Sequence, residues 1–174
     1  MIVKGARGRI EDVEGFVRKI REISTRMGIE IQVVDADLVC GKDHVISAVM
    51  HAVRSFKEKR NSTRSLSMEL LLYLSGERQI SRAIEKVGIK EGKERHVFVF
   101  LGSDDLDYIE NSLTEDEAEG IIRSLGMELD DGVMRVSREK LERFGLTMEE
   151  IETVDKDKYG DLILEKVALV DLMK

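Results

Sequence analysis

The chain has no proline, no tryptophan and a single cysteine, with only two asparagines and two glutamines among its 174 residues. One cysteine, Cys40, excludes an internal disulfide and any multi-cysteine metal site, which suits a reducing compartment. In "LVCGKD" no base stands beside it to activate the thiolate, so a buried, inert thiol is expected. No apolar stretch reaches the ~18 to 20 residues that span a bilayer, and the start, "MIVKGARGRI", lacks the apolar stretch of a secretion signal. A cytoplasmic protein without membrane contact is expected. Catalytic motifs are missing as well: there is no G-x-x-x-x-G-K-S/T, no G-x-G-x-x-G behind a strand, no G-x-S-x-G and no H-E-x-x-H.

The residue clusters that remain have structural readings. "GARG" near the start is a glycine pair without a phosphate-cradling lysine, and reads as a tight turn. His44 and His51 share a helical face, but two turns separate them by ~10.5 Å, too far for both to ligate one metal. Asp104, Asp105 and Asp107 in "SDDLDYIE" read as acids opening a helix and complementing its dipole. Asp35 and Asp37 follow a strand with no histidine or lysine implied beside them. No enzyme, no metal, no cofactor and no small-molecule substrate is expected.

Charge is plentiful: Asp, Glu, Lys and Arg make up 36% of the chain, and the net charge is -7. Its distribution is uneven. Residues 1–41 balance, residues 42–95 carry a net +5, and residues 96–174 a net -12. A basic middle in an acidic protein attracts anions locally, while the remainder repels a polyanion that approaches elsewhere.

Hydrophobic spacing divides the chain into alternating elements. "MIVKGARG" and "EIQVVDAD" read as strands, separated by a helix over about 10–27 that Gly28 ends. "KDHVISAVMHAVRSFKEK", "LSMELLLYLS" capped by Ser65 or Ser67, and "ERQISRAIEKVG" are three successive helices, the last with Ile80, Ala83, Ile84 and Val87 inward. "RHVFVFLG" is a strand apolar enough to be buried on both faces. "TEDEAEGIIRSLG" is a helix with a capping box at Thr114 and Glu117. "GVMRV" reads as a short strand, "SREKLERFG" and "TMEEIETV" as short helices, and "DLILEKVALVDL" as a long closing strand. The expected architecture is one domain over 1–174 of α/β class: a central mixed sheet flanked by helices, with a helical lobe at about 43–88.

That lobe holds the one distinctive pattern. Arg78, Arg82 and Lys86 recur every four residues, on one stripe of their helix. Upstream, Arg54, Lys57, Lys59, Arg60 and Arg64 surround the break between two helices. An arginine fork donates two hydrogen bonds to a phosphate at once. Asn61 and Gln79 can reach a base edge or sugar, and Ile80 or Tyr73 can supply an apolar surface for an unstacked base. Glu77 and Glu85 dilute the stripe. Three readings stand at this point: contact with nucleic acid, contact with an acidic protein, and a solvated face.

The stretches "DADLVCGKDHVISAVMHAVRSF", "NSTRSLSMELLLYLSGERQISRAIEKVGI" and "LEKVALVDL", in that order over about residues 30 to 170, resemble the kinase-binding subunit of the KEOPS complex, the PRPK-binding protein family, in its archaeal form. The pattern E-x-L-x-Y-x-S-G-x-R-Q-I-x-x-A-I, here from Glu69 to Ile84, is its most specific part. Residues 103 to 160 carry little of the likeness. The resemblance implies a small α/β protein without catalytic activity that binds the N-lobe of a kinase-like ATPase. That ATPase contacts the subunit transferring threonylcarbamoyl to an adenosine beside the tRNA anticodon. The resemblance also implies a role in holding tRNA by its single-stranded 3′ CCA end. Lys57, Arg60, Arg64, Arg78 and Arg82 are then expected on phosphates, with Asn61, Gln79 and Ile80 on sugar or base. The alternative expectation is a purely protein-interaction module that activates the kinase subunit without touching tRNA.

Overall fold

β-Branched and aromatic residues form three strands, β1 (Ile2–Arg7), β2 (Glu30–Asp35) and β3 (Arg95–Leu101), and a two-residue strand, β4 (Glu128–Leu129), joins them. The computed structural model describes residues 1–174, which divide into two compact units, 1–36 with 89–133 and 37–88 with 134–174.

The first unit is the sheet, in the order β2-β3-β1-β4, with every pair antiparallel. The α/β class is the expected one, but the sheet holds no parallel pair. β2 and β3 are joined by the whole of residues 36–94, a connection long enough to permit either direction. Every residue of β3 except Arg95 is buried. Phe98 meets Phe16 edge-on with ring centres 6.4 Å apart and stacks on Phe100 at 6.1 Å. Phe16 belongs to helix α1 (Val13–Met27), which is capped by Asp12 and ended by Gly28 in the left-handed conformation. Helix α5 (Glu115–Ser124) has the predicted Thr114–Glu117 capping box, and its Ala118, Ile121 and Ile122 complete this core.

Three local expectations fail in this unit. "SDDLDYIE" forms turns in place of a helix, because Leu106 is its one buried residue and no apolar stripe follows. Asp105 there accepts from the Gly102 amide at 3.0 Å and pairs with the Met1 ammonium at 2.8 Å. "GVMRV" supplies a single 3-10 turn, Asp131–Met134, in place of a strand. Gly5 lies inside β1, not in a turn. The chain at 130–133 passes so close that a Cβ on Gly5 would collide with the Asp130 carbonyl oxygen.

The second unit is helical. Helices α2 (Lys42–Lys57), α3 (Leu66–Ser75) and α4 (Ile80–Val87) form the predicted lobe, joined by α6 (Arg138–Phe144), α7 (Met148–Glu152) and α8 (Tyr159–Met173). α8 overturns the expectation of a long closing strand. Its buried residues, Tyr159, Ile163, Val167 and Val170, follow the three-to-four-residue spacing of a helix. Residues 69 to 75 of α3 are all buried, so this helix is the centre of the unit.

Left-handed backbone follows both α2 and α3, but with different residues. Gly76 closes α3 at φ 69°. Lys59 follows α2 at φ 56°, and the amides of Lys59 and Arg60 bond back to Phe56 and Ser55. A side chain in this conformation costs ~1 to 2 kcal/mol that glycine does not incur. Gly76→Ala therefore lowers the melting temperature, all the more because its Cβ would meet the Phe144 ring at 2.8 Å. Lys59→Gly raises it. Thermal denaturation of both variants checks the opposite signs.

Candidate nucleic-acid interface

The predicted contact residues all lie on the helical unit, in two groups separated by α3. Lys57, Arg60, Asn61 and Arg64 sit at its N-terminal end, where the chain leaves α2. Arg78, Gln79, Ile80 and Arg82 sit at its C-terminal end and on α4. Ten residues of helix put ~15 Å between the two groups. A run of nucleotides can bridge that span; one phosphate cannot.

The cations differ in their engagements. Arg64, Arg78 and Arg82 are exposed, and no carboxylate lies within 4.0 Å of their guanidinium groups. Arg60 is exposed but donates to Glu58 at 2.8 and 2.5 Å. Lys86 is drawn out of the stripe: it pairs with Glu77 at 2.6 Å, donates to the Phe144 carbonyl at 3.0 Å and lies over the Phe144 ring. Arg54 pairs with Asp171 at 3.0 Å. Lys57 is exposed at the last turn of α2.

The neutral contact residues are placed less uniformly. Asn61 is half-buried and donates to the Thr63 carbonyl at 2.9 Å. Gln79 is the exposed N-cap of α4, and its side chain makes no capping bond to the helix start. Ile80 is half-buried, and Ile84, expected inward, is 48% exposed. Helical rotation of ~100° per residue sets Arg82 on the flank of α4 opposite Ile80 and Ile84. Tyr73 has no exposure at all, which removes it as a platform for a base.

The break between α2 and α3 is held by a residue the sequence reading passed over. Glu69, completely buried, accepts from the Ser62 and Thr63 amides at 3.1 and 3.0 Å and from the Thr63 hydroxyl at 2.8 Å. It also takes the Ser55 hydroxyl at 3.2 Å and the ammonium of Lys174. Lys174 in turn reaches Tyr73 and Ser55 oxygens, each at 2.8 Å. One turn earlier Asp171 gathers the Tyr73 hydroxyl at 2.5 Å, His51 at 2.8 Å and Arg54. The signal for Glu69 was present as the lone acid heading an apolar run. Nothing in the sequence tied it to a lysine over a hundred residues away.

The other titratable groups of this unit are structural. His44 Nδ1 accepts from the Cys40 amide at 3.0 Å, and Nε2 donates to the Leu74 carbonyl at 2.9 Å. Burial lowers its pKa to about 4, so it is neutral at pH 7. Burial pushes the Cys40 thiol up to about 12, with the nearby Lys140 charge only partly opposing. Neither group is poised for proton transfer or attack near neutrality.

One apolar surface is conspicuous on this unit. Met50 of α2 is 63% exposed and Leu172 of α8 is 81% exposed, with Leu169 and Met173 also open. The His51 and Arg54 bonds to Asp171 tie these two helices together beside them.

The Glu69 carboxyl titrates with a consequence for stability. Burial by itself would raise its pKa, but bonds from Lys174, Thr63 and Ser62 outweigh that and hold it below the ordinary 4.5. A depressed folded-state pKa contributes stability that is complete above 4.5 and is lost as the pH falls through the lower value. The gap in melting temperature between the parent protein and Glu69→Gln should therefore hold constant above pH ~5 and shrink on acidification. A pH series of melting curves reads it.

Comparison with known proteins places this arrangement in a family. The family model described as kinase binding protein CGI-121 matches residues 10–171. The regulatory protein Cgi121 of Methanocaldococcus jannaschii is 32% identical over 174 residues, 100% of this chain and 99% of that protein. A KEOPS complex subunit Cgi121 from Pyrococcus abyssi is 32% identical over 73 residues, 41% of this chain and 42% of its own. With a match running through β1's exit to the last turn of α8, the chain belongs to the CGI-121 family of kinase-binding proteins.

Proposed function

We propose that this chain is a non-catalytic, cytoplasmic subunit of a KEOPS-type assembly that binds a kinase-like ATPase and holds the single-stranded 3′ end of tRNA. The family description and the relatives' names support the first part. The observation that carries the second is a set of three exposed guanidinium groups, Arg64, Arg78 and Arg82, without carboxylate partners in a chain of net charge -7.

In this reading Arg78 and Arg82 take phosphates near the terminus and Arg64 one further along, with Lys57 adding charge. Arg60 exchanges Glu58 for phosphate. Gln79 and Asn61 meet sugar or base edges. Because Ile80 and Arg82 lie on opposite flanks of α4, the strand rounds the start of that helix. Its backbone passes the arginines while its last base rests on Ile80. The ATPase docks on the exposed apolar side chains of Met50 in α2 and of Leu169 and Leu172 in α8.

Pairing of Arg60 with Glu58 and of Lys86 with Glu77 favours a second reading, in which the basic residues serve the protein's own fold and a partner protein alone. Filter binding separates the two. Removing the 3′ terminal nucleotides should weaken tRNA binding at least ten-fold. Arg78→Glu with Arg82→Glu should weaken it too, and flatten its salt dependence by ~1.4 log units, since two phosphates go un-neutralised at ~0.7 each. Equal affinity for intact and trimmed tRNA would sink the tRNA reading and leave the interaction module. Separately, Leu172→Glu should abolish co-elution with the ATPase while preserving the free protein's tRNA affinity, and retained co-elution would show that the docking face is misplaced.

A further inference from the structure

We infer that Glu69 positions the tRNA-facing loop and that Lys174 links this loop to the partner-facing end of α8, so that docking of the ATPase and order in residues 60–64 strengthen one another. The inference rests on the function proposed above and adds regulation of the same site.

Residues 58–65 form no helix or strand, and Glu58, Lys59, Arg60, Ser62 and Arg64 are exposed. Among their contacts inward, the Glu69 carboxylate is the gathering point. Both amides at 62 and 63 and the Thr63 hydroxyl converge on Oε2, at 3.1, 3.0 and 2.8 Å. The loop backbone that carries Arg60, Asn61 and Arg64 is thus fixed to α3 through one side chain.

That carboxylate has no exposure to water, and Lys174 supplies the cation that compensates it. A buried carboxylate whose partner ion is withdrawn cannot fall back on water; it takes up a proton or moves outward, and either change alters its hold on the two amides. The position of Lys174 is decided by the last turn of α8, where Asp171 ties to Tyr73, His51 and Arg54. The same turn presents Leu172 and Met173 to solvent, with Leu169 one turn before. A partner packed on these apolar side chains restrains the turn and keeps the ammonium seated. By linkage, whatever factor the partner adds to tRNA affinity the tRNA adds to partner affinity.

Hydrogen exchange at the Ser62 and Thr63 amides tests this without requiring tRNA. In the free protein Lys174→Met should speed exchange at both amides about ten-fold over the parent, and Lys174→Arg, which keeps the charge, should not. Adding the kinase-like subunit should slow both amides in the parent and in Lys174→Arg, and leave Lys174→Met unaffected. Unchanged exchange in Lys174→Met, or equal slowing by the partner in Lys174→Met and the parent, overturns the inference. Failure of the functional reading is separate: it is seen as no complex with the kinase-like subunit on gel filtration, or no tRNA retention by the parent, while the free-protein comparison still decides whether Lys174 and Glu69 hold the loop. If Lys174→Met does not fold, Glu69→Asp compared with Glu69→Gln in the same exchange measurement takes its place, and equal exchange in the two overturns the positioning role.

Discussion

A carboxylate sealed from water imposes a demand that the rest of the helical unit meets. Glu69 sits at the start of the most apolar helix, with Leu70 to Ser75 buried behind it. Leaving a buried ion without partners costs several kcal/mol, more than a small fraction of the protein's marginal stability. The chain answers with donors from α2, from the loop before α3 and from the end of α8. Three segments far apart in sequence are thereby drawn to one point, in a unit where Val49 and Ala52 of α2 and Val167 and Val170 of α8 are also buried.

Local order was legible wherever one residue type has one strong preference. Gly28 and Gly76 ended their helices, the Thr114–Glu117 box opened another, and the continuous apolar run of β3 was buried on both faces. The closing element is a helix because a run dense in apolar residues suits either structure by composition, while the spacing of its buried residues over 15 positions fits only the helix. Gly5 was misread for another reason. A glycine inside a strand and one in a turn look alike until the segment that presses on it is known, and that segment lies at 130–133.

The basic lobe was visible as charge but not as geometry. Periodicity grouped Arg78, Arg82 and Lys86, yet Glu77 sits where it claims Lys86, and α3 separates the remaining cations into two sets. Whether a given arginine is spoken for depends on its nearest acid in space, and a single sequence gives only the nearest acid in the chain. The acid that matters most to the loop, Glu69, was hidden in plain view inside a hydrophobic segment. Its partner Lys174 is remote enough that no spacing rule reaches it.

The tight crossing at Gly5 has a bearing on association. Its amide is taken by the Asp131 carboxylate at 2.8 Å and its carbonyl by the Asp130 amide at 2.9 Å. β4, at two residues, occupies the adjoining stretch at Ala6 and Arg7. The outer margin of β1 is therefore capped by its own chain over Gly5, Ala6 and Arg7. A foreign peptide seeking to extend the sheet finds no open ladder over those three residues, so strand addition at this end of β1 is blocked from within.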